Sequence, residues 1–171
     1  MTDKELNEKL AALNRGERQA FEEIYNEIST SAFTVALRIT GDRHLSEDIL
    51  QEFFVRLYRK PPEAPLEKPR AYLMRIVHNL TLDCLKKQPH NADIEDYSNK
   101  LCAEEDRDGY LDLAKALGML TDSERRIVVL HINGGLKFRE ISDIMDIPLG
   151  TALWKYRRAL SRLKDILNGG E

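Results

Sequence analysis

The sequence predicts an all-α protein with two small helical domains joined by a flexible linker, the C-terminal domain containing a helix-turn-helix. Three observations support this prediction. Apolar residues recur at helical spacing through most of the 171 residues. The sequence contains neither a sustained apolar–polar alternation nor an Asn-Gly turn, which are the patterns that indicate β-strands and β-hairpins. Residues 88–109 lose the helical periodicity and are acidic, which is typical of a linker.

The first domain is predicted to contain four helices, and capping residues mark where the first three begin and end. Thr2 and Glu5 form a capping-box pattern that starts the first helix, which stops near Gly16. The second helix continues to Gly41, and Asp42 caps the third. The side chains expected to face inward are Leu6, Leu10, Leu13, Phe21, Ile24, Tyr25, Ile28, Phe33, Leu37, Ile39, Leu45, Ile49, Leu50, Phe53, Phe54 and Leu57.

Prolines separate the third helix from the fourth. The third helix is expected to end near Arg59, because several prolines follow it and interrupt helical hydrogen bonding. Pro69 then occupies the first turn of a fourth helix that is expected to end near Lys87. Its inward positions are Leu73, Ile76, Val77, Leu80 and Cys84.

The second domain is predicted to contain the helix-turn-helix. Helical pattern returns at 110–120, and a second capping box, Thr121 with Glu124, starts the next helix. A short helix at 138–145, a tight turn and a longer helix at 149–167 complete the motif. Its expected core residues are Phe138, Ile141, Met145, Ile147, Ala152, Tyr156 and Leu163.

Composition and residue spacing exclude several classes of protein. With 42% hydrophobic and 32% charged residues, the chain can bury a core, so we do not expect disorder throughout. No apolar run approaches the roughly 18–20 residues of a membrane span, and no signal peptide is recognisable. The two cysteines and four histidines lack metal-site spacing, and no catalytic motif is present. We therefore expect a cytoplasmic protein that is not an enzyme and holds neither a metal nor a cofactor.

The net charge of −3 conceals two basic segments separated by an acidic one. Residues 59–87 contain seven basic and three acidic residues, whereas residues 88–112 contain two and eight. The second helix of the helix-turn-helix is the most basic element, since residues 151–166 contain five basic residues and one acidic residue. Salt screens charges beyond about 8 Å, so a DNA phosphate interacts with the local charge of a segment rather than with the net charge of the chain. The basic helix therefore indicates DNA binding. An ordinary charged surface helix is the alternative.

Five blocks of sequence carry a resemblance to a known family. The blocks are F-E-E-I-Y with A-L-R-I-T-G-D (21–25 and 36–42), S-E-D-I-L-Q-E-F-F-V-R-L-Y (46–58), A-Y-L-M-R-I-V-H-N-L-T-L-D (71–83), L-T-D-S-E-R-R-I-V-V-L-H (120–131) and G-L-K-F-R-E-I-S-D-I-M-D-I-P-L-G-T (135–151). In this order they resemble the bacterial extracytoplasmic-function (ECF) sigma factors, which are promoter-recognition subunits of RNA polymerase. The resemblance implies that residues 1–87 bind core polymerase and open the minus-ten element. Residues 110–171 would read the minus-thirty-five element, and residues 88–109 would link the two domains.

The resemblance also implies three groups of site residues. The group for core-polymerase binding is Asp48, Gln51, Glu52 and Phe53. The group for the minus-ten element is Tyr72, Arg75, Asn79, Lys86 and Lys87. The group for the minus-thirty-five element is Thr151, Leu153, Trp154, Lys155, Arg157, Arg158 and Arg162. The implied partners are core RNA polymerase, promoter DNA and an anti-sigma factor, with no membrane and no small-molecule substrate.

Three positions depart from the family pattern. The family usually has Trp where Tyr72 stands, a basic residue at Leu153 and a small residue at Trp154. Arg158 is expected to read a base and Arg162 to contact a phosphate. Trp154 is expected either to meet a sugar or a thymine methyl group, or to pack on the first helix of the motif.

Two other functions remain open from the sequence. One is a helix-turn-helix regulator that does not bind core polymerase, and the other is an interaction protein that uses the fold without DNA. The linker permits two arrangements, because its 22 residues extend to at most about 75 Å and two DNA turns span about 70 Å. The domains can therefore occupy separate promoter elements, or pack together in free solution.

Overall fold

The computed structural model describes residues 1–88 and 108–169, which form eight α-helices and no β-strand. The helices are α1 (Asp3–Asn14), α2 (Arg18–Thr40), α3 (Arg43–Arg59), α4 (Pro69–Lys87), α5 (Asp108–Gly118), α6 (Asp122–Ile132), α7 (Phe138–Met145) and α8 (Leu149–Asn168). The predicted all-α fold, with a helix-turn-helix in the second domain, is confirmed. Most of the predicted linker lies outside the described residues.

Capping interactions place the helix ends where the sequence predicts them. The Thr2 hydroxyl accepts a hydrogen bond from the Glu5 N–H at 3.2 Å, and the Glu5 carboxylate accepts one from the Thr2 N–H at 2.7 Å. The Asp42 carboxylate accepts from the Leu45 N–H at 3.1 Å and starts α3. Gly41 ends α2 with φ of 66°, a left-handed conformation that glycine adopts without steric cost.

The first domain is built around α2, which packs against α1, α3 and α4. The large side chains that these helices bury completely are Leu6, Leu10, Ile24, Ile28, Ile49, Phe53, Leu73 and Met74. Each such side chain stabilises the fold by roughly 1.5–3 kcal/mol through apolar burial. The prediction that Tyr25 faces inward is wrong, because the ring lies at the edge of the buried stripe and is 43% exposed.

The second domain holds α8 against α5, α6 and α7. Ile141, Ala152 and Leu163 are buried, as the sequence predicts for the core of the motif. Phe138 and Tyr156 are partly buried and pack ring against ring at 4.9 Å. Leu163 belongs to a buried apolar cluster of the second domain. Its other members are Ala116, Leu117, Leu120, Val128 and Ala159. This packing fixes the orientation of α8 relative to the rest of the domain.

The two domains lie in direct contact. Of the two arrangements that the linker length permits, this is the one in which the domains pack together. α6 packs against α2. The Arg38 guanidinium donates a hydrogen bond to the Asn133 side-chain oxygen at 3.0 Å. Leu37 and Ala114 form a small buried apolar contact between α2 and α5. Polar and apolar contacts therefore both hold this closed arrangement.

A buried histidine lies at the same contact. His78 on α4 is 1% exposed, and its Nε2 lies 3.2 Å from Nη1 of Arg126 on α6. Its Nδ1 faces the Asn79 side-chain oxygen at 3.4 Å. A ring that accepts at Nε2 must be neutral. Burial and the Arg126 guanidinium lower the pKa of His78 to about 4, which keeps the ring neutral near pH 7.

Candidate nucleic-acid and protein interfaces

The outer face of α3 carries three of the four residues assigned to polymerase binding. Asp48, Gln51 and Glu52 are exposed there. Glu52 forms an ion pair with Arg56 one turn further along the helix, so its charge is partly neutralised. Phe53 instead has 0% exposure and packs in the core of the first domain, where it offers no contact surface. The available face is therefore polar and centred on Asp48 and Gln51.

An aromatic cleft adjoins this polar face between α2 and α3. Its volume is about 500 Å³. The residues that line it are Phe21, Tyr25, Glu47, Leu50, Gln51, Phe54, Val55, Tyr58 and Arg59. The Tyr25 ring lies 4.6 Å from that of Phe54, and the Phe21 ring lies 5.2 Å from that of Tyr58. Gln51 belongs to both the polar face and the cleft, so the two surfaces are continuous.

Of the residues that line the aromatic cleft, only Gln51 was proposed as a site residue from the sequence, and the aromatic residues were missed. The available signal was two aromatic pairs at helical spacing, at 21 and 25 on α2 and at 54 and 58 on α3. Aromatic residues at this spacing normally indicate a buried stripe. Here Tyr25 and Tyr58 remain exposed.

The outer side of α4 carries the candidate residues for the minus-ten element. The exposed residues are Tyr72, Arg75, Asn79, Lys86 and Lys87. Tyr72, Arg75 and Asn79 follow one another at spacings of three and four, which places them along one face of the helix. The two lysines lie in the last turn. The helix therefore presents an aromatic ring, an amide and three cationic groups on its exposed surface.

The basic residues of α8 form contacts within their own domain. The Glu124 side chain on α6 is only 3% exposed, and its Oε2 lies 2.8 Å from Nη1 of Arg162. Arg162 also donates to the Met119 carbonyl at 3.0 Å. Nε of Arg158 lies 3.4 Å from Oε1 of the same Glu124 carboxylate. Two arginines that the sequence assigns to DNA thus surround one buried carboxylate.

Glu124 also caps α6, so one side chain joins the start of that helix to α8. Its carboxylate accepts from the Thr121 N–H at 3.1 Å, and the Thr121 hydroxyl accepts from the Glu124 N–H at 3.3 Å. Nearby, the Lys155 ammonium donates to the Ser123 hydroxyl at 2.9 Å. The first turn of α6 is therefore the anchor for three basic side chains of α8.

Trp154 and Arg157 are exposed side chains of α8 that lie outside this anchor. Arg157 is exposed and forms no hydrogen bond or ion pair with the described residues. Trp154 is 57% exposed, so more than half of its surface is open to a partner. Thr151 and Leu153 are only partly exposed, near the start of the helix. Near the start of α8 the exposed surface is therefore formed by Trp154 and Arg157, with Arg158 beside them, and Lys164 is an exposed cation further along the helix.

The described residues contain no cluster of three His, Cys, Asp or Glu side chains that is suited to a metal ion. Among residues 1–88 and 108–169, no helix is long and apolar enough to cross a membrane. Cys84 is a free thiol, partly buried against the core of the first domain.

Comparison with known proteins matches both domains. The family profile Sigma-70 region 2 matches residues 24–90, and Sigma-70, region 4 matches residues 110–163. The ECF RNA polymerase sigma factor SigK of Mycobacterium ulcerans is 27% identical over 176 residues, which cover 96% of this chain and 94% of that protein.

Two solved structures share the fold. One is CnrH in complex with the cytosolic domain of CnrY, with a TM-score of 0.73 and 20% identity over 96% of this chain and 98% of that one. The other is the sigma factor RpoE in complex with the anti-sigma factor NepR from Bartonella quintana. It has a TM-score of 0.69 and 20% identity over 86% of this chain and 96% of that one.

Proposed function

Because the chain belongs to the ECF family of RNA polymerase sigma factors, we propose that it directs transcription initiation by joining core polymerase to promoter DNA. One observation carries the proposal: the two matched regions contain α3, α4 and most of α8, which present separate exposed polar surfaces. In this role the chain is a cytoplasmic, non-catalytic subunit. Residues 1–87 and 110–171 are the two functional domains, and residues 88–109 link them.

The proposed polymerase-binding surface is the polar face of α3 together with the aromatic cleft. Asp48 supplies an exposed negative charge, and Gln51 supplies both a donor and an acceptor. The adjoining cleft supplies apolar surface at Tyr25 and Tyr58. This combination suits a partner helix with basic and apolar side chains, because apolar contacts provide affinity and charge complementarity guides encounter.

The proposed role of α4 is to capture bases that are exposed when the minus-ten element opens. Unstacking a base costs a few kcal/mol, and stacking it on an aromatic ring returns roughly 1–3 kcal/mol. Tyr72 is 40% exposed and can provide such a ring. Asn79, on the same face, can bond to a base edge, and Arg75 is placed to meet a phosphate.

The proposed role of α8 is to enter the major groove at the minus-thirty-five element. A helix-turn-helix places its second helix in that groove, with the N-terminal residues of the helix nearest the bases. Arg157 has no competing partner among residues 1–88 and 108–169 and is therefore the proposed arginine contact to DNA. Arg162 is bound to Glu124 and to the Met119 carbonyl, so its proposed role changes from phosphate contact to holding α8 in place.

The closed arrangement has to open on a promoter. Two elements separated by two DNA turns lie about 70 Å apart, whereas the domains here are in contact through α2 and α6. We propose that core polymerase holds the separated domains, and that an anti-sigma factor competes for the free chain. The solved relative RpoE, which is bound to the anti-sigma factor NepR, supports the second proposal.

Reconstituted transcription tests this function. The chain is mixed with bacterial core polymerase and a library of templates in which the promoter region is randomised. We expect transcripts from templates that share two motifs separated by about two turns, and none from core polymerase alone. Transcripts that carry no shared motif would contradict the proposal.

A further inference from the structure

The only tryptophan in the chain lies in a position that core packing does not explain. Trp154 is 57% exposed, near the start of α8. The buried residues of this helix are Ala152, Ala159 and Leu163, so the indole lies away from the face that packs on the domain. The fold does not bury this aromatic surface, so the indole is available to a partner.

A neighbouring cation covers part of one face of the indole. The Arg158 guanidinium lies over it, with Cζ at 5.3 Å from the ring centroid. Arg158 is itself fixed at the other end, because its Nε lies 3.4 Å from the buried Glu124 carboxylate. Glu124 in turn belongs to the cap of α6. A continuous series of contacts therefore runs from the interior of the domain to the exposed ring, and these contacts favour the observed position of the ring before a partner binds.

The surroundings of the ring indicate nucleic acid rather than an apolar protein partner. Arg157 and Arg158 follow Trp154 at spacings of three and four, so cationic groups flank it on the exposed face. An apolar partner would have to desolvate these charges, whereas phosphates on either side of a DNA groove would neutralise them. In the major groove, the apolar group that base pairs present is the C5-methyl group of thymine.

We propose that Trp154 selects a thymine in the minus-thirty-five element by packing its indole against the C5-methyl group of that base. This inference rests on the proposed function, and it names the base type that this surface selects. Arg158 then acts as a positioning residue, which holds the indole against the groove from its anchor on Glu124.

The test removes single methyl groups from the DNA. Core polymerase with the full chain first identifies a promoter from the randomised library. Each thymine of its minus-thirty-five element is then replaced by deoxyuridine, which lacks only the methyl group. We expect one position at which this change weakens binding by about threefold to fivefold, the size expected for one buried methyl group.

Protein variants assign that effect to Trp154. In Trp154→Ala the thymine and deoxyuridine promoters should bind equally well, and Trp154→Phe should retain part of the difference. Arg157→Ala is the matched control on the same face, and it should weaken both promoters alike while keeping the difference. Circular dichroism of each variant checks that the helices are intact.

Several outcomes would overturn the inference. A minus-thirty-five element without thymine, no methyl-sensitive thymine, or a sensitivity that persists in Trp154→Ala would each contradict it while leaving the proposed function standing. A holoenzyme that selects no promoter would overturn the proposed function and this inference together.

Discussion

The two helices proposed to contact DNA, α4 and α8, differ in how their polar side chains are used within the protein. On α4, Tyr72 and Arg75 extend from the surface without a hydrogen bond or ion pair to the described residues. On α8, Lys155, Arg158 and Arg162 all contact the first turn of α6. A count of basic residues therefore overstates the DNA-binding surface of α8, because part of its charge stabilises its own domain.

Among the tests of this difference, Arg162→Ala has the largest expected effect on stability. Arg162→Ala removes the 2.8 Å partner of a carboxylate that is almost fully buried. A buried charge left without its partner typically costs about 3 kcal/mol or more, and the remaining contact with Arg158 places the expected loss near the lower end. Thermal unfolding followed by circular dichroism should therefore show a clearly lower melting temperature. The matched substitution on α4, Arg75→Ala, should change the free energy of unfolding by less than about 0.5 kcal/mol.

A double variant separates the ion pair from other effects of the substitution. Removing both partners with Glu124→Ala and Arg162→Ala should cost less than the sum of the two single changes, because neither group is then left buried and unpaired. Equal costs for Arg162→Ala and Arg75→Ala would contradict the distinction between the two helices.

Acid should lower the free energy of unfolding through His78, which lies on the inner side of α4 next to Arg126. The folded-state pKa of His78 is about 4 and its ordinary value is 6.5, so between these pH values the unfolded chain binds more protons. The free energy of unfolding therefore falls as the pH falls through this window, by about 2 kcal/mol at pH 5. Protonation would also set an imidazolium against the Arg126 guanidinium, 3.2 Å away.

Urea unfolding at pH 7 and pH 5 measures this effect, with His78→Gln as the comparison. The variant has no group that titrates in this range at position 78, so its stability should change less between the two pH values. An identical loss in the variant and in the parent chain would assign the acid sensitivity to other groups.

The sequence predictions, compared with the structure, show which of its features are predictable from sequence. Helix ends are predictable, because local signals such as the Thr121 capping box and Pro69 act within one turn. Which side chains stay exposed at the edge of a buried stripe is not predictable in this way, because it depends on tertiary packing. Tyr25 is the example. The pairing of Arg162 with Glu124 is equally hidden, because it joins residues 38 positions apart.

Polymerase binding should depend on the face of α3 and not on the ion pair beside it. Asp48→Ala combined with Gln51→Ala removes the two exposed polar groups and should weaken binding to core polymerase by about tenfold, which corresponds to about 1.4 kcal/mol. Glu52→Ala is the control, because that carboxylate is already paired with Arg56. A fluorescence anisotropy titration of labelled chain with core polymerase measures both, and unchanged affinity of the double variant would contradict the assignment.

The smallest expected effect concerns Arg157, which is exposed on α8 and forms no hydrogen bond or ion pair with the described residues. Arg157→Ala should leave the melting temperature unchanged and reduce the slope of log affinity against log salt by about 0.9, the value for one phosphate contact. If it instead relaxes preference at one base pair, Arg157 reads sequence. If neither quantity changes, the outward face of α8 does not meet DNA at this position.

The most direct test of the account is whether the chain needs polymerase to occupy a promoter. Footprinting of the selected promoter is carried out with the chain alone, with core polymerase alone and with both. We predict protection of both elements only when both proteins are present, because the free chain holds its domains in contact and each surface is small. Tight protection by the chain alone would identify a regulator that does not depend on polymerase and would contradict the account.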